Sequence, residues 1–520
     1  MQRGILDSLN PVQQEAVTHS GSPLLIIAGA GSGKTRVITN RLAYLIEKGF
    51  NPQRLLAVTF TNKAAQEMLE RVQKLCPQID FLPQIGTFHR ICHQFLRRYI
   101  QQIGISNNFL IYDDKEQIQA IKKIIKKYES QNSPLASALT PKYILTQISN
   151  WKNYLLLPEQ VGGTWGHQQI IQELYFEYQL FLKNLNALDF DDLILYSVKI
   201  LEKFPAIRSS EQDYWLDISV DEYQDTNYAQ HQLVNLWTGD KQNWCIVGDF
   251  DQSIYNFRGA KIENILELSQ NPQVKVIKLE QNYRSSPQIL KAANQLIENN
   301  QNRLPKILWT NNAKTQEVQI HNAYDGFEEA NYIVRQILAH PEYSSAVLYR
   351  TNAQSRLIEE TLTRYRLSYQ IIGSWRFYDR QEVRDILAYL RLIHNPLDSL
   401  AFERIINVPR RGIGEQSLIR FQNAQNQKNL NWLELIPHLN MVENLSPKIK
   451  QEFLKFYNLF RDLQYDAQIL PLSQLIRSVM IKTKYQEMLE KSEEMNHAHA
   501  EVEKNINVVV ERISNGESCG

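Results

Sequence analysis

Hydrophobic and polar positions divide the chain into blocks of two different periods. "LLIIA" (24–28) is a continuous apolar run that reads as a buried strand, and 34–48 carries a helical spacing. "LLAVTF" (55–60) predicts a second strand, "NKAAQEMLERVQKL" (62–75) a second helix, and "QIGTF" (84–88) a third strand with a helix from about 89. Strands alternating with helices predict a parallel sheet covered on both faces. From 105 to 188 the strand signal disappears, and "KEQIQAIKKIIKKY" sets Ile118, Ile121, Ile125 and Tyr128 on one helical face with lysines opposite. Strands return as "WLDISVDEY" (215–223) and "NWCIVGD" (243–249), then as "VKVIKLE" (274–280), "EVQIHNAY" (317–324), "SSAVLYR" (344–350) and "SYQIIG" (368–373). From about 377 onward the pattern is helical again.

The pattern therefore predicts an α/β protein of two units. The first spans 1–104 and 189–273, interrupted by a helical insertion at 105–188. The second spans 274–376 and is followed by helices over 377–520; it shows too few strands to complete a sheet and reads as unfinished.

Composition adds little to this picture. Lys plus Arg (57) nearly cancels Asp plus Glu (56), so any polyanion partner must be held by a local basic track rather than by overall charge. Cys76, Cys92, Cys245 and Cys519 lie far apart, which excludes a close-spaced cysteine metal cluster, and His93, His231 and His394 form no ligand pattern. No run reaches the roughly 18 apolar residues that a membrane span needs, and the N-terminus lacks the apolar stretch of a signal peptide. A reduced, cytoplasmic setting is expected.

Chemistry enters at Ala28-Gly29-Ala30-Gly31-Ser32-Gly33-Lys34-Thr35, between the first strand and its helix. Glycines let the backbone curl until several N–H groups converge on one point, where the positive end of the helix dipole also lies. Lys34 adds a cation and Thr35 a hydroxyl suited to Mg²⁺, which together describe a loop that cradles the phosphates of a nucleotide. The strict spacing has glycine where Ala28 stands. A plain glycine-rich turn accounts for the glycines but not for Lys34-Thr35 after a buried strand. Asp221-Glu222 ends a later apolar run; there Asp221 is expected to hold Mg²⁺ through water and Glu222 to polarise the attacking water.

Further segments occur in a single order: "LNPVQQEAV", "AGAGSGKTR", "VTFTNKAAQEM", "GTFH", "DFDDL", "VDEYQDTN", "VGDFDQSIYNFRGA", "LEQNYRS", "LYRTNAQSR", "FYDRQEVRDILAYLR" and "INVPRRGIG". Together they resemble the UvrD/Rep/PcrA type of superfamily 1 DNA helicases over almost all of residues 5–510. The resemblance implies two RecA-like P-loop cores, each with a helical insertion, that use ATP and Mg²⁺ to move 3′ to 5′ on single-stranded DNA and open duplex DNA. It implies that Gln13 reads adenine, that Arg36 and Tyr283 flank the nucleotide, that Arg284 is an arginine finger on the second core, and that Gln252 senses the γ-phosphate. It treats Asp249 and Asp251 as loop structure rather than metal ligands. For single-stranded DNA it points to Phe60, Asn62, Thr87, His89, Tyr255, Phe257 and Arg258, where relatives commonly have Trp in place of Phe257. Arg410 and Arg411 with Gly412 and Gly414 resemble a hairpin whose backbone approaches duplex phosphates.

Two segments that close the second core in this family, of the types "TLHSAKGLEF" and "AYVGVTRA", do not occur in these residues. The chain is therefore expected to be a fragment, an early-terminated product or half of a split protein. Two functional readings follow: a working helicase, or an ATP- and DNA-binding module without motor activity. A third, the helicase part of a helicase–nuclease, lacks the carboxylate-rich domain it requires.

Overall fold

The computed structural model describes residues 4–131, 139–162, 167–240, 243–254, 259–260, 263–300, 304–313, 317–372, 381–428 and 430–493. Among these residues the strands are β1 (Leu24–Ala28), β2 (Leu55–Thr59), β3 (Gln84–Thr87), β4 (Leu110–Tyr112), β5 (Ala187–Asp189), β6 (Asp217–Val220), β7 (Trp244–Gly248) and β8 (Lys275–Leu279). Six of them form one parallel sheet in the order β3-β2-β6-β7-β1-β8.

All five residues of β1 and all five of β2 are buried. Strands covered on both faces read as unbroken apolar runs because successive side chains enter opposite layers. Leu25, Ile27, Leu56, Val58 and Ile246 enter one layer, with Phe88, Phe95 and Trp237. Leu24, Ile26, Leu55, Ala57 and Val247 enter the other, with Val37, Ile38 and Met68. Each fully buried Leu or Ile stabilises the sheet by about 1.5–3 kcal/mol.

β8 departs from the expected domain boundary. "VKVIKLE" was predicted to open the second α/β unit, yet Leu24–Ala28 pairs with Lys275–Leu279 along its whole length, so β8 is the edge strand of the first sheet. Ile277 and Leu279 face the core, while Lys275 and Lys278 stay exposed, as suits an edge.

The insertion is helical as expected, with helices Asp114–Gln131, Pro141–Asn153 and His167–Asn184 around a core of Ile121, Ile125, Ile144, Leu174 and Tyr178. It also holds the short parallel pair β4–β5. Lys152, fully buried, bridges Asp189 (2.6 Å) and Asp192 (2.8 Å) where the insertion returns to the first sheet.

Two compact units divide the chain: Met1–Thr315 with Ala388–Gln468, and Gln316–Leu387 with Ile469–Gly520. In the first, Lys123 pairs with Glu403 and the Tyr112 hydroxyl donates to Asp398, so part of the C-terminal helical region packs on the insertion. In the second, helices Gly326–Ala339 and Asn352–Arg364 bury Ala330, Val334 and Leu362. The three further segments predicted as strands, 317–324, 344–350 and 368–373, form no ladder among the described residues (Gly373 lies outside them). Ile320, Leu348 and Ile372 are correspondingly exposed at 89%, 95% and 85%. A period-2 apolar pattern specifies a strand only when a neighbour takes up its backbone N–H and C=O groups. No helix of the described residues is long and apolar enough to cross a membrane.

Candidate active site

In an open parallel sheet, ligands bind beyond the carboxyl ends of the strands. Four adjacent strands, β6, β7, β1 and β8, bring Asp221-Glu222, Asp249–Gln252, Gly29–Thr35 and Gln281–Arg284 to that edge.

The loop after β1 is built for close approach. Gly31 (φ +67°) and Gly33 (φ +90°) adopt left-handed backbone that a side chain would strain. Gly33 begins helix Lys34–Glu47 without any side-chain cap, which leaves the helix N-terminus to an anion. Ser32 closes the turn by donating its hydroxyl to Gly29 O (2.7 Å).

Lys34 reaches across to Glu222, with Nζ 2.6 Å from Oε2. The Thr35 hydroxyl lies 3.4 Å from Asp221 Oδ2. Burial, and secondarily the charge of Glu222, push Asp221 up to about 6, against the pull of Lys34. Glu222 itself sits in left-handed backbone (φ 51°, ψ 42°), a conformation that costs roughly 1–2 kcal/mol outside glycine. That turn lets Asp221 and its neighbour both reach the nucleotide edge. Gln224 links the acids to the next strand: its Nε2 donates to Glu222 (2.6 Å) and its Oε1 accepts from Asp249 N (2.9 Å). The Gln252 amide donates to Asp249, so the γ-phosphate sensor expected from sequence is anchored on that carboxylate.

From β8, Tyr283 N donates to Gly31 O (3.0 Å) and Asn282 Nδ2 to Ala30 O (2.5 Å). A Cβ on Gly31 would fall 2.8 Å from Arg284 Cβ, so Arg284 leaves the backbone directly against the loop. Arg284 follows β8, which pairs with β1, and falls in the first compact unit. The Tyr283 ring is 48% exposed and is oriented by its hydroxyl, which donates to Gln281 and accepts from Asn10. Gln13 is buried against the loop, its Nε2 donating to Ser32 O and its Oε1 accepting from Asn10 N. Arg36 donates to Ser8 O.

The loop, its uncapped helix and the exposed Tyr283 ring fit a nucleotide, and the paired oxygens of Thr35 and Asp221 fit Mg²⁺ beside it. Asn282, Gln224 and Asn10 were missed from sequence. Asn282 lay inside "QNYRS", where its capping of Arg284 N and Ser285 N has the Asx-turn signature of an Asn ahead of a turn.

Phe60 and Asn62 follow β2, and Thr87 ends β3 with His89 just past it, at the same carboxyl edge; Thr59 and Thr87 are register partners, so the four lie together. Asn62 is exposed, and Thr87 caps its helix through Arg90 N. Burial pushes His89 down to about 4, so the ring is neutral near pH 7 and can act there only as a hydrogen-bonding group. Tyr255, Phe257 and Arg258 lie outside the described residues. Ala260, just past them, bridges Asn227, which follows the acidic turn. The Arg411 side chain stays within the hairpin. Its guanidinium donates to Ile405 O, Ile406 O, Val408 O and the Tyr389 hydroxyl, and stacks over Phe456, so it is engaged inside the fold. Arg410, Gly412 and Gly414 remain exposed.

A glycine-rich loop between strand and helix, with acids on a neighbouring strand, defines a P-loop nucleotide-binding protein of the α/β class. Residues 9–273 match the UvrD/REP helicase N-terminal domain and 277–515 the UvrD-like helicase C-terminal domain, so the chain belongs to the UvrD/REP helicase family. It is 42% identical over 496 residues to ATP-dependent DNA helicase PcrA of Staphylococcus aureus (strain COL), covering 94% of this chain and 67% of that protein. The protein of the same name from Staphylococcus epidermidis (strain ATCC 12228 / FDA PCI 1200) is 42% identical over 498 residues, covering 94% and 68%.

Proposed function

We propose that this chain is an ATP-dependent DNA helicase that hydrolyses ATP at the carboxyl edge of β6-β7-β1-β8 and moves 3′ to 5′ on single-stranded DNA held beyond β2 and β3. The observation that carries the proposal is the convergence of Lys34, Glu222, Asp221 and Arg284 on the glycine loop.

Lys34 pairs with Glu222. An incoming β/γ-phosphate competes for the ammonium, and Glu222 is then freed to take the proton of the attacking water. Gln224 keeps its carboxylate in place during that exchange. Thr35 and Asp221 would hold Mg²⁺, which when bound neutralises phosphate charge. Arg284 adds a guanidinium to the transferring group, a contribution worth about 10³–10⁵ in rate in comparable sites. Tyr283 offers its ring to the base, and Gln13 can read adenine once it exchanges its bonds to Ser32 and Asn10. Phe60 offers a stacking face and Asn62, Thr87 and neutral His89 offer hydrogen bonds to the strand. The exposed backbone at Gly412 and Gly414, rather than the Arg411 side chain, is available to duplex phosphates. A cytoplasmic role in repair or replication fits such an activity.

Steady-state ATPase with and without single-stranded DNA tests the coupling: a rate raised by DNA is expected, and an unchanged rate overturns it. A second reading, an ATP- and DNA-binding module without motor activity, is favoured by the unladdered, exposed segments around Ile320 and Leu348. Strand displacement separates the two: nucleotide and DNA binding with no unwinding favours the module.

A further inference from the structure

Lys306 is a buried lysine that the mechanism above does not use. It lies in a stretch, Pro305–Trp309, that runs beside the exit of β8. Lys278 Nζ donates to Pro305 O (2.7 Å), Ile307 N to Glu280 (3.0 Å), and Trp309 N to Glu280 O (3.1 Å), while Trp309 O accepts from Asn282 N (2.7 Å). The neighbouring Leu308 covers the phosphate loop so closely that a Cβ on Gly29 would fall 2.1 Å from its Cδ2.

The Lys306 side chain is only 2% exposed, and its Nζ lies 2.6 Å from Asp249 Oδ1 and also bonds Asp251 Oδ2. Asp249 caps the turn Phe250–Gln252 and Asp251 lies within it, and Asp249 holds the Gln252 amide through its other oxygen. A single buried cation therefore fixes the γ-phosphate sensor to the stretch that braces Asn282 and Arg284. The ammonium between them holds the two carboxylates together.

We propose that Lys306 is a positioning residue that keeps Gln252 in register with Arg284, and so sets how strongly the hydrolytic step answers to bound DNA. The proposal rests on the reading of the chain as a DNA-stimulated ATPase. It concerns a residue outside every motif quoted above.

The test compares K306M, K306R and the pair D251N/K306M in the full chain, each first checked by thermal melting. In K306M, kcat with saturating single-stranded DNA is expected to fall by about tenfold or more with KM for ATP nearly unchanged, because loss of a charged hydrogen bond here acts on the transition state. K306R is expected to recover most of that loss. D251N/K306M, which removes the cation together with one carboxylate it neutralises, is expected to melt near wild type yet stay slow, separating positioning from folding. Amide hydrogen exchange at Asp251 and Gln252 gives a readout independent of turnover: faster exchange in K306M and the double variant, retained protection in K306R. If the wild-type chain does not hydrolyse ATP, the functional reading fails and the exchange data alone judge Lys306. A folded K306M with wild-type DNA-stimulated kcat, or with unchanged exchange at Gln252, overturns the proposal.

Discussion

Replacing Glu222 by Gln should uncouple nucleotide binding from hydrolysis. The amide keeps the size of the side chain and its left-handed backbone, so the turn at the end of β6 is preserved. What changes is the charge opposite Lys34. At 2.6 Å, two unit charges in an effective dielectric of about 20 attract by roughly 6 kcal/mol. The Glu222 side chain is 31% exposed, and exchange with water brings the net value of such a charged hydrogen bond down to about 1.5–3 kcal/mol. Part of that is surrendered when phosphates take Lys34. Without the carboxylate the surrender disappears, and affinity for ATP should rise by up to about tenfold. Hydrolysis should fall by about 10²–10⁴ because the water loses its proton acceptor. Titration with a fluorescent ATP analogue, paired with steady-state ATPase on single-stranded DNA, measures both. Weaker binding together with an undiminished rate would refute the division of roles between Lys34 and Glu222.

R284A should lower DNA-stimulated kcat by about 10³ or more while leaving ATP affinity little changed; equal losses in binding and rate would make Arg284 a structural contact. R411A should cost about 2–4 kcal/mol of stability, read as a lower melting temperature, because it strips donors from three backbone carbonyls, and it should leave the salt dependence of DNA binding intact. Unchanged melting with a shallower salt slope would return Arg411 to the DNA surface. His89 should stay neutral down to about pH 5 by NMR titration. Its folded pKa is depressed below the unfolded value of about 6.5, so its stabilisation is complete above that value and is lost as pH falls toward 4. A ring titrating near 6.5 contradicts the burial argument.

The parts of this fold that were legible in sequence are those set by local pattern. Continuous apolar runs identified β1, β2 and β7, and small residues between strand and helix identified the phosphate loop. What the pattern did not carry is pairing. β8 has the same alternation whether it starts a second sheet or closes the first, and only its register against Leu24–Ala28 decides. β4 and β5 were missed because three residues each are too few to show a period. Arg411 carried the signal of a basic residue beside glycines, but the carbonyls that engage it come from a turn whose shape no spacing reveals. Lys306 gave no signal, since its partners lie 55 and 57 positions away.

The most direct test of the central claim, that hydrolysis at this edge drives movement along DNA, is single-turnover translocation on single-stranded oligonucleotides of increasing length carrying a fluorophore at one end. With ATP, the account expects a lag before arrival at a 5′ label that lengthens in proportion to the oligonucleotide, and no such arrival signal at a 3′ label. A signal whose timing does not depend on length would show dissociation without stepping and would contradict it.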